Sequence, residues 1–302
     1  MGAVIRTDEL SKRFGRVRAV EQLSLVVPEG AIFGLIGTNG AGKTTTIKLL
    51  TNILRASEGR AEVLGVESRQ LSPKDWQRIG YVSENQELPD WMSFTYFLRY
   101  LKRFYPSWDD ELAAEMLRAF DLPPARPLGK MSRGMRMKAA LTSALAYRPK
   151  LIFLDEPFSG LDPLVRDEVT ETLLERAADT TIFVSSHDLA ELETFATHIG
   201  HMEDGRLVFA EEMTALTQRF RQVEVTLNET PAPEMRWPEH WLARETSPAL
   251  VRFIEIQYED NRTRREIAEL FPGAANIELT AMPLRAVFVA LARSTPDRNK
   301  ES

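Results

Sequence analysis

A glycine-rich stretch that ends in lysine and threonine is the part of the sequence best suited to chemistry. Residues Gly37–Thr44 read GTNGAGKT and follow an apolar run at 31–36. Glycines let successive backbone N–H groups turn inward, and the positive end of a following helix also favours phosphate oxygens. Lys43 is expected to reach the β- and γ-phosphates of a nucleoside triphosphate, and the Thr44 hydroxyl to bind Mg²⁺. The residues expected to bind the nucleotide here are Gly37, Asn39, Gly40, Ala41, Gly42, Lys43, Thr44 and Thr45. An ordinary glycine turn between a strand and a helix is the weaker alternative.

Two adjacent carboxylates follow a second apolar run. Residues 151–154 are Leu-Ile-Phe-Leu, typical of a parallel strand covered on both faces, and Asp155 and Glu156 come directly after them. Open α/β sheets bind ligands at the carboxyl ends of their strands. Asp155 is therefore a candidate to hold Mg²⁺, usually through water, and Glu156 to orient the attacking water. A strand that simply ends at a polar loop is the alternative, which the phosphate loop makes less attractive.

A histidine stands at the end of a third expected strand, 181–184. His187 is expected at the same edge of the same sheet, although a lone histidine is more often structural. His198 and His201 have no partners at metal-ligand spacing and are interpreted as structural.

The elements that must position these residues follow from length and pattern. A chain of 302 residues suggests one large α/β domain and a smaller appendage. Strands are expected at 4–10, 23–27, 61–66 and 79–82, and helices at 45–54 and 132–147.

Two further helices, 93–105 and 109–120, are expected to begin at the caps Ser93 and Asp109. Their many aromatic residues indicate the core and contact surface of a helical subdomain at about 86–131. A docking face for another helix is a second possibility, and a ligand cage a minor one. The basic residues Arg133, Arg136 and Lys138 suit either phosphate binding or a solvated helix face.

Composition excludes several classes of protein. The net charge of −6, with both signs interspersed, does not favour nucleic-acid binding, and the absence of cysteine excludes disulfides and thiolate zinc sites. Residues 1–10 lack the apolar core of a signal peptide, and no apolar run approaches the roughly 18 residues of a membrane span. Contact with a membrane is therefore expected to need a partner.

A different pattern begins after about residue 217. Strands are expected at 223–227, 251–256 and 277–280, and helices at 264–271 and 284–292, which indicates a small α+β domain. Thr263 and Glu266 have the spacing of a capping box. The segment has no catalytic constellation, and a role in dimer contact or regulation is about as plausible as a structural cap. Residues 294–302 are expected to fray.

Five motifs in this order resemble the nucleotide-binding subunit of an ATP-binding cassette (ABC) transporter. They are 37–44, 132–135 (SRGM), 151–156, 159–162 (SGLD) and His187. The resemblance covers residues 1–217 and implies a P-loop NTPase cassette with a mixed core sheet and a helical subdomain, followed by the α+β domain at 218–302. It is closest to bacterial exporter-type subunits that pair with a separate permease.

The resemblance also implies roles for individual residues. Phe14, which position alone would leave as an ordinary half-buried aromatic, falls where the family stacks an aromatic ring on adenine. Ser132 and Gly134 match the signature loop, which contacts the γ-phosphate bound to the other subunit. Asp162 matches the loop that couples the two sites, and His187 the residue that holds the γ-phosphate and the attacking water. Hydrolysis should therefore require a dimer.

Two departures from the family pattern stand out. Glu84 replaces the usual glutamine, and a carboxylate there could still bind Mg²⁺ or water, although it adds negative charge near the triphosphate. In the signature, Arg133 and Met135 replace the commoner glycine and glutamine, as in some exporter-type members.

The expected function is ATP hydrolysis, with Mg²⁺, that powers an integral membrane permease, most simply for export. The implied partners are this permease and a second ATPase subunit, identical or related, and no nucleic acid. The protein is expected in the cytoplasm, peripheral on the inner face of the cell membrane. The alternative is a soluble ABC ATPase that acts on nucleic acid or ribosomes. Such proteins typically carry a long coiled-coil insertion, zinc cysteines or two cassettes, none of which the sequence shows.

Overall fold

The computed structural model describes residues 2–176, 179–228 and 236–294. Two compact units divide the chain, Met1–Ala210 and Glu211–Ser302, and each is described by itself. The helix at 213–219, which contains the expected domain boundary, lies in the second unit.

The strands of the first unit are β1 (Ala3–Phe14), β2 (Val17–Leu23), β3 (Val26–Pro28), β4 (Ile32–Ile36), β5 (Glu58–Val63), β6 (Val66–Glu67), β7 (Ile79–Ser83), β8 (Leu151–Asp155), β9 (Thr181–Ser186), β10 (His198–Glu203) and β11 (Arg206–Glu212). Its helices are α1 (Lys43–Leu50), α2 (Pro73–Trp76), α3 (Phe94–Leu101), α4 (Asp110–Ala119), α5 (Arg133–Leu145) and α6 (Pro163–Arg176). In the described ranges, no helix combines the length and the apolar character needed to cross a bilayer.

A six-stranded sheet in the order β11-β10-β4-β9-β8-β7 positions the site. Strands β10, β4, β9, β8 and β7 are parallel, and every residue of β8 and β9 is buried, as expected for strands covered on both faces. The register pairs Ser83 with Asp155, Asp155 with Ser185, and Ile36 with Ser186. The carboxyl ends of β4, β7, β8 and β9 therefore meet at one edge.

A second, antiparallel sheet runs in the order β2-β1-β5-β6, with β3 also paired to β1. The single strand expected at 61–66 is wrong. Leu64 and Gly65 have φ of +51° and +80° and form a turn between β5 and β6. A left-handed leucine is uncommon, so Gly65 is the one residue here whose type indicates a turn.

The single strand expected at 23–27 is wrong as well, because β2 ends at Leu23 and β3 begins at Val26. Thr7 accounts for the break. Its buried hydroxyl donates to Leu23 O at 2.8 Å and accepts from Leu25 N at 2.8 Å, so a side chain replaces a strand partner there.

The helical subdomain confirms both expected caps. Ser93 Oγ accepts from Tyr96 N at 3.3 Å, and Asp109 Oδ1 accepts from the N–H groups of Glu111 and Leu112 at 2.9 Å each. The aromatic side chains here divide between core and surface. Those that are buried are Phe94, Phe97 and Phe120, and those that are exposed include Trp91, Tyr96, Tyr100 and Phe104.

The second unit contains α7 (Met213–Arg219), β12 (Arg221–Leu227), β13 (Trp241–Thr246), β14 (Leu250–Glu255), α8 (Asp260–Leu270), β15 (Ala274–Ala281) and α9 (Leu284–Ser294). Its strands form an antiparallel sheet in the order β13-β14-β12-β15. The core contains Val223, Val225, Trp241, Val251, Phe253, Ile267 and Phe271. The expected strands and helices are present, but β13 was not expected, and residues 295–302 of the expected tail lie outside the described residues.

The capping box expected at Thr263 and Glu266 is wrong, because α8 begins at Asp260 and Thr263 is buried inside it. The Thr263 hydroxyl instead lies 3.3 Å from Oε2 of the fully buried Glu255. Trp241 Nε1 donates to the same oxygen at 2.9 Å, so the buried carboxylate has donors of the kind it requires.

Candidate functional site

The phosphate loop joins β4 to α1 and has a conformation that requires glycine. Gly42 has φ +104°, and a Cβ there would lie 2.4 Å from Ala19 O. The turn between β10 and β11 also supports the loop through Gly205. Gly205 N donates to Ala41 O at 3.1 Å, and Gly205 O accepts from Glu21 N at 2.8 Å. Sequence reasoning did not identify this support from Gly205.

Lys43 lies at the first position of α1 with its side chain only 5% exposed. Its ammonium donates to Gly37 O at 2.7 Å and to Thr38 O at 3.2 Å, and lies 3.1 Å from Glu156 Oε1. The structure thus brings the expected phosphate ligand and the expected water-orienting carboxylate into direct contact.

Asp155 ends β8 and contacts the phosphate loop. Thr44 Oγ1 donates to Asp155 Oδ1 at 2.9 Å, and Ser185 Oγ donates to the same oxygen at 2.7 Å. Burial raises the pKa of Asp155, and these two hydrogen bonds oppose the rise. A hydroxyl and a carboxylate oxygen side by side are the hard oxygen donors that Mg²⁺ prefers, so the two residues fit the expected cation.

Ser185 was missed by sequence reasoning. It stands opposite Asp155 in the register of β8 and β9, so counting residues to the end of the expected strand would have found it. Besides contacting Asp155, its hydroxyl accepts from Glu156 N at 3.0 Å. One buried hydroxyl therefore holds both carboxylate residues in place.

Glu156 has a left-handed backbone, with φ of +51°. Its Oε2 lies 2.8 Å from His187 Nδ1, while its Oε1 contacts Lys43. The hydrogen bond with Glu156 is the main reason why the pKa of His187 is raised. Non-glycine residues in this backbone region carry strain and concentrate at functional sites. Lys43, Glu156 and His187 form one contiguous chain at the carboxyl edge of the sheet.

We expect Glu156→Gln to lower the pKa of His187 towards its ordinary value of 6.5, because the carboxylate that favours the imidazolium is removed. In the parent chain, the stabilisation from protonated His187 is present below pH 6.5 and is lost as the pH rises through the raised pKa. An NMR titration of the histidine ring protons measures the pKa of His187 in the parent chain and in Glu156→Gln. The chain has four histidines, and the other three serve as internal references. An unchanged titration would contradict the assigned cause.

The residues assigned to adenine stacking, to the signature loop and to the coupling of the two sites lie elsewhere in the unit. Ser132 is exposed and caps α5, accepting from Met135 N at 3.3 Å. Asp162 Oδ1 accepts from Val165 N at 3.1 Å where α6 begins, and Phe14 is 47% exposed at the end of β1. Within the described ranges, no hydrogen bond or ion pair joins these residues to the chain of Lys43, Glu156 and His187.

Gly134 lies in the first turn of α5 and is half-buried. A Cβ there would approach Val165 Cγ1 to 3.2 Å. The signature loop therefore packs closely against the start of α6, which carries the Asp162 cap.

Glu84 was expected as an additional Mg²⁺ ligand, and this stays a prediction. In the structure its Oε1 accepts from Arg133 Nη2 at 2.6 Å and from Ser159 Oγ at 2.8 Å. Two of the three residues that depart from the family pattern, Glu84 and Arg133, thus form an ion pair with each other.

The other basic residues of α5 are also paired with acids. Arg136 Nη1 lies 2.7 Å from Asp90 Oδ1, and Lys138 Nζ lies 2.6 Å from Glu168 Oε2. Lys138 is buried, so the expectation of a solvated helix face is wrong for it, and phosphate binding by this basic group stays a prediction.

Comparisons with known proteins agree with this geometry. The ABC transporter family model matches residues 20–159. The ABC transporter ATP-binding protein YtrB of Bacillus subtilis is 30% identical over 227 residues, which cover 74% of this chain and 77% of YtrB. The bacitracin transport ATP-binding protein BcrA of Bacillus licheniformis is 31% identical, with 69% of each chain covered. The daunorubicin resistance ATP-binding protein DrrA2 of Streptomyces coeruleorubidus is 33% identical, with 68% of this chain and 66% of DrrA2 covered.

A solved ATP-binding subunit of an ABC transporter has the same fold, with a TM-score of 0.65, 26% identity, and coverage of 71% of this chain and 92% of that chain. This confirms the expected α/β P-loop cassette. The chain spans the greater part of YtrB and BcrA at 30% identity or more, and we conclude that it belongs to the ATP-binding subunits of ABC transporters.

Proposed function

We propose that this subunit hydrolyses ATP and thereby powers a separate membrane permease, for export of a substrate that is still unidentified. The observation that carries the proposal is the contact of Lys43 and His187 with the two oxygens of Glu156. A phosphate-binding cation, a water-orienting carboxylate and a histidine at one sheet edge are suited to phosphoryl transfer to water.

Binding rests on the phosphate loop and its neighbours. The backbone N–H groups of 37–45 surround the phosphates, and the Lys43 ammonium reaches the β- and γ-phosphates once it leaves the carbonyls it contacts here. Thr44 and Asp155 would hold Mg²⁺, which supplies positive charge to the β- and γ-phosphate oxygens when bound. Phe14, exposed at the end of β1, would stack on adenine.

Catalysis rests on Glu156 and His187. Glu156 orients and polarises the attacking water, and His187 holds the γ-phosphate and the same water from the adjacent strand end. The left-handed backbone of Glu156, fixed through Ser185, aims its carboxylate across the edge of the sheet. The hydrogen bond from Glu156 N to Ser185 therefore holds the backbone of Glu156 before ATP binds, and the Glu156 carboxylate in turn contacts His187.

The complete site requires a second subunit, identical or related. The exposure of Ser132 leaves the signature loop accessible to the nucleotide of a partner. Asp162, exposed at the start of α6, would couple the two sites. We propose that residues 1–217 form this ATPase domain and that 218–302 form an accessory domain.

Export and location are inferred from the relatives. BcrA is named for bacitracin transport and DrrA2 for daunorubicin resistance, and both names suit removal of a compound from the cell. The protein would then lie in the cytoplasm, peripheral on the inner face of the membrane. The exposed aromatic residues around α3, which include Trp91 and Tyr100, offer the permease an apolar surface. The alternative of a nucleic-acid or ribosome ATPase is not favoured by relatives that are named for transport or resistance.

Purification from detergent-solubilised membranes tests the proposal. We expect a tagged chain to co-purify with one integral membrane protein, and the complex to hydrolyse ATP faster than the chain alone. A ribosomal or nucleic-acid partner in place of a membrane protein would overturn the transport assignment.

A further inference from the structure

Two residues that depart from the family pattern contact each other across 49 positions of sequence. Arg133 is the first residue of α5, next to Ser132, and its guanidinium lies 2.6 Å from Glu84 Oε1. Glu84 directly follows β7. We propose that Glu84 and Arg133 form a positioning pair that fixes the signature loop (132–135) to the nucleotide edge of the same subunit. This inference rests on the proposed function.

The Glu84 end of the pair is tied to the residues that act on nucleotide. Glu84 N donates to Asp155 O at 2.9 Å, and Ser83 is the register partner of Asp155. The Glu84 carboxylate also accepts from Ser159 Oγ at 2.8 Å, while Ser159 N donates to Glu156 O at 3.2 Å. Hydrogen bonds therefore connect Glu84 to Asp155 directly and to Glu156 through Ser159.

The Arg133 end is held by close packing. Gly160 has φ +65°, and a Cβ there would lie 2.6 Å from Arg133 Nη1. The guanidinium thus lies directly over the Gly160 backbone, between Ser159 and the loop that begins α6. Gly160 contacts the guanidinium on one side only, because half of the Arg133 side chain is exposed, and the missing Cβ leaves the room that the guanidinium needs to reach Glu84.

The consequence is a link between two nucleotides. Ser132 and Gly134 would contact ATP bound to the partner, whereas Asp155 and Glu156 act on ATP bound to their own subunit. The pair connects them within one chain, so filling one site orders the signature loop that completes the other. A half-exposed ion pair changes an equilibrium constant by about two- to fivefold. A symmetric dimer contains two such pairs, so we expect their loss to raise the dimer dissociation constant by roughly 4- to 25-fold.

A double-mutant cycle in the slowly hydrolysing Glu156→Gln chain tests the pair. We would compare Glu84→Ala, Arg133→Ala and the double variant. Arg136→Ala is the control, because it removes an arginine from the same helix that pairs instead with Asp90. Sedimentation velocity in Mg-ATP gives the dimer dissociation constant, and binding of a fluorescent ATP analogue at low protein concentration gives the affinity of each subunit's own site. Thermal unfolding verifies that each variant folds.

We expect each single variant to weaken the dimer roughly 4- to 25-fold, and the double variant to weaken it no further, because both changes remove the same contact. Own-site affinity should stay within about twofold of the parent chain in Arg133→Ala, and the Arg136→Ala control should stay within about twofold of the parent chain in both measurements. Additive effects of the two changes would overturn the pair. So would a loss of own-site affinity in Glu84→Ala alone, which would support Glu84 as a Mg²⁺ ligand. If the Glu156→Gln parent forms no ATP-dependent dimer, with or without its membrane partner, the proposed composite site fails and the pair fails with it.

Discussion

Glu156→Gln should bind ATP but hydrolyse it roughly 10²- to 10⁴-fold more slowly than the parent chain, the usual range for losing general-base assistance. Glutamine keeps the size of the side chain and can still accept from Lys43 through its amide oxygen. It loses the negative charge that polarises water and pairs with His187. Rates of phosphate release with Mg-ATP, measured beside ATP affinity, separate the two effects. A near-normal rate would remove Glu156 from the catalytic role.

Slow hydrolysis should also trap the dimer. Two ATP molecules held between two subunits, each contacted by the opposite signature loop, predict a dimer in ATP and a monomer or looser dimer without it. Ser132→Arg in the same chain should abolish the ATP-dependent dimer, because it places bulk where the opposite γ-phosphate lies. Sedimentation of both variants with and without ATP measures this. A mass that does not depend on ATP, also with the permease present, would contradict the composite site.

Lys43→Ala should lower ATP affinity by about ten- to a hundredfold and reduce turnover to background, since it removes a charge-assisted contact to two phosphates. The side chain is only 5% exposed and pairs with Glu156, so the change also leaves that carboxylate with His187 as its remaining ion-pair partner. We therefore expect a modest loss of stability but a retained fold.

Lys43→Met is the matched control, because it keeps the apolar stem and removes only the ammonium. It should lose ATP affinity as much as alanine does, while unfolding closer to the parent temperature. Isothermal titration and thermal unfolding give the two quantities. Near-normal hydrolysis by either purified variant would rule out the phosphate-loop assignment.

Strands β4, β7, β8 and β9 of the six-stranded sheet and the phosphate loop could be predicted from the sequence, because runs of apolar residues there coincide with strands that are largely buried in the structure. The apolar run at 151–154 became a fully buried strand, and the glycine loop led into α1 at Lys43. Ser93 and Asp109 cap their helices through their own neighbours, so the sequence contained all the information needed.

Features that depend on distant partners could not be predicted in the same way. The local spacing of Thr263 predicts a cap, whereas the structure places its hydroxyl beside the buried carboxylate of Glu255. The break after Leu23 depends on the Thr7 hydroxyl, which lies on another strand. The contact between Glu84 and Arg133 joins two departures from the family pattern that the sequence shows only separately.

The support behind the phosphate loop determines which substitutions the protein tolerates. Gly205 has φ +80°, and a Cβ there would lie 3.0 Å from Arg18 O and 3.1 Å from Ala19 O. Any side chain would therefore push the turn away from Ala41, whose carbonyl Gly205 holds. A glycine remote from the phosphate loop in sequence is thus constrained by a positive φ, as Gly42 is, although its contacts are less close than the 2.4 Å at Gly42. Substitution at position 205 should therefore impair nucleotide binding through the loop that it supports, although nothing in the surrounding sequence marks that position as functional.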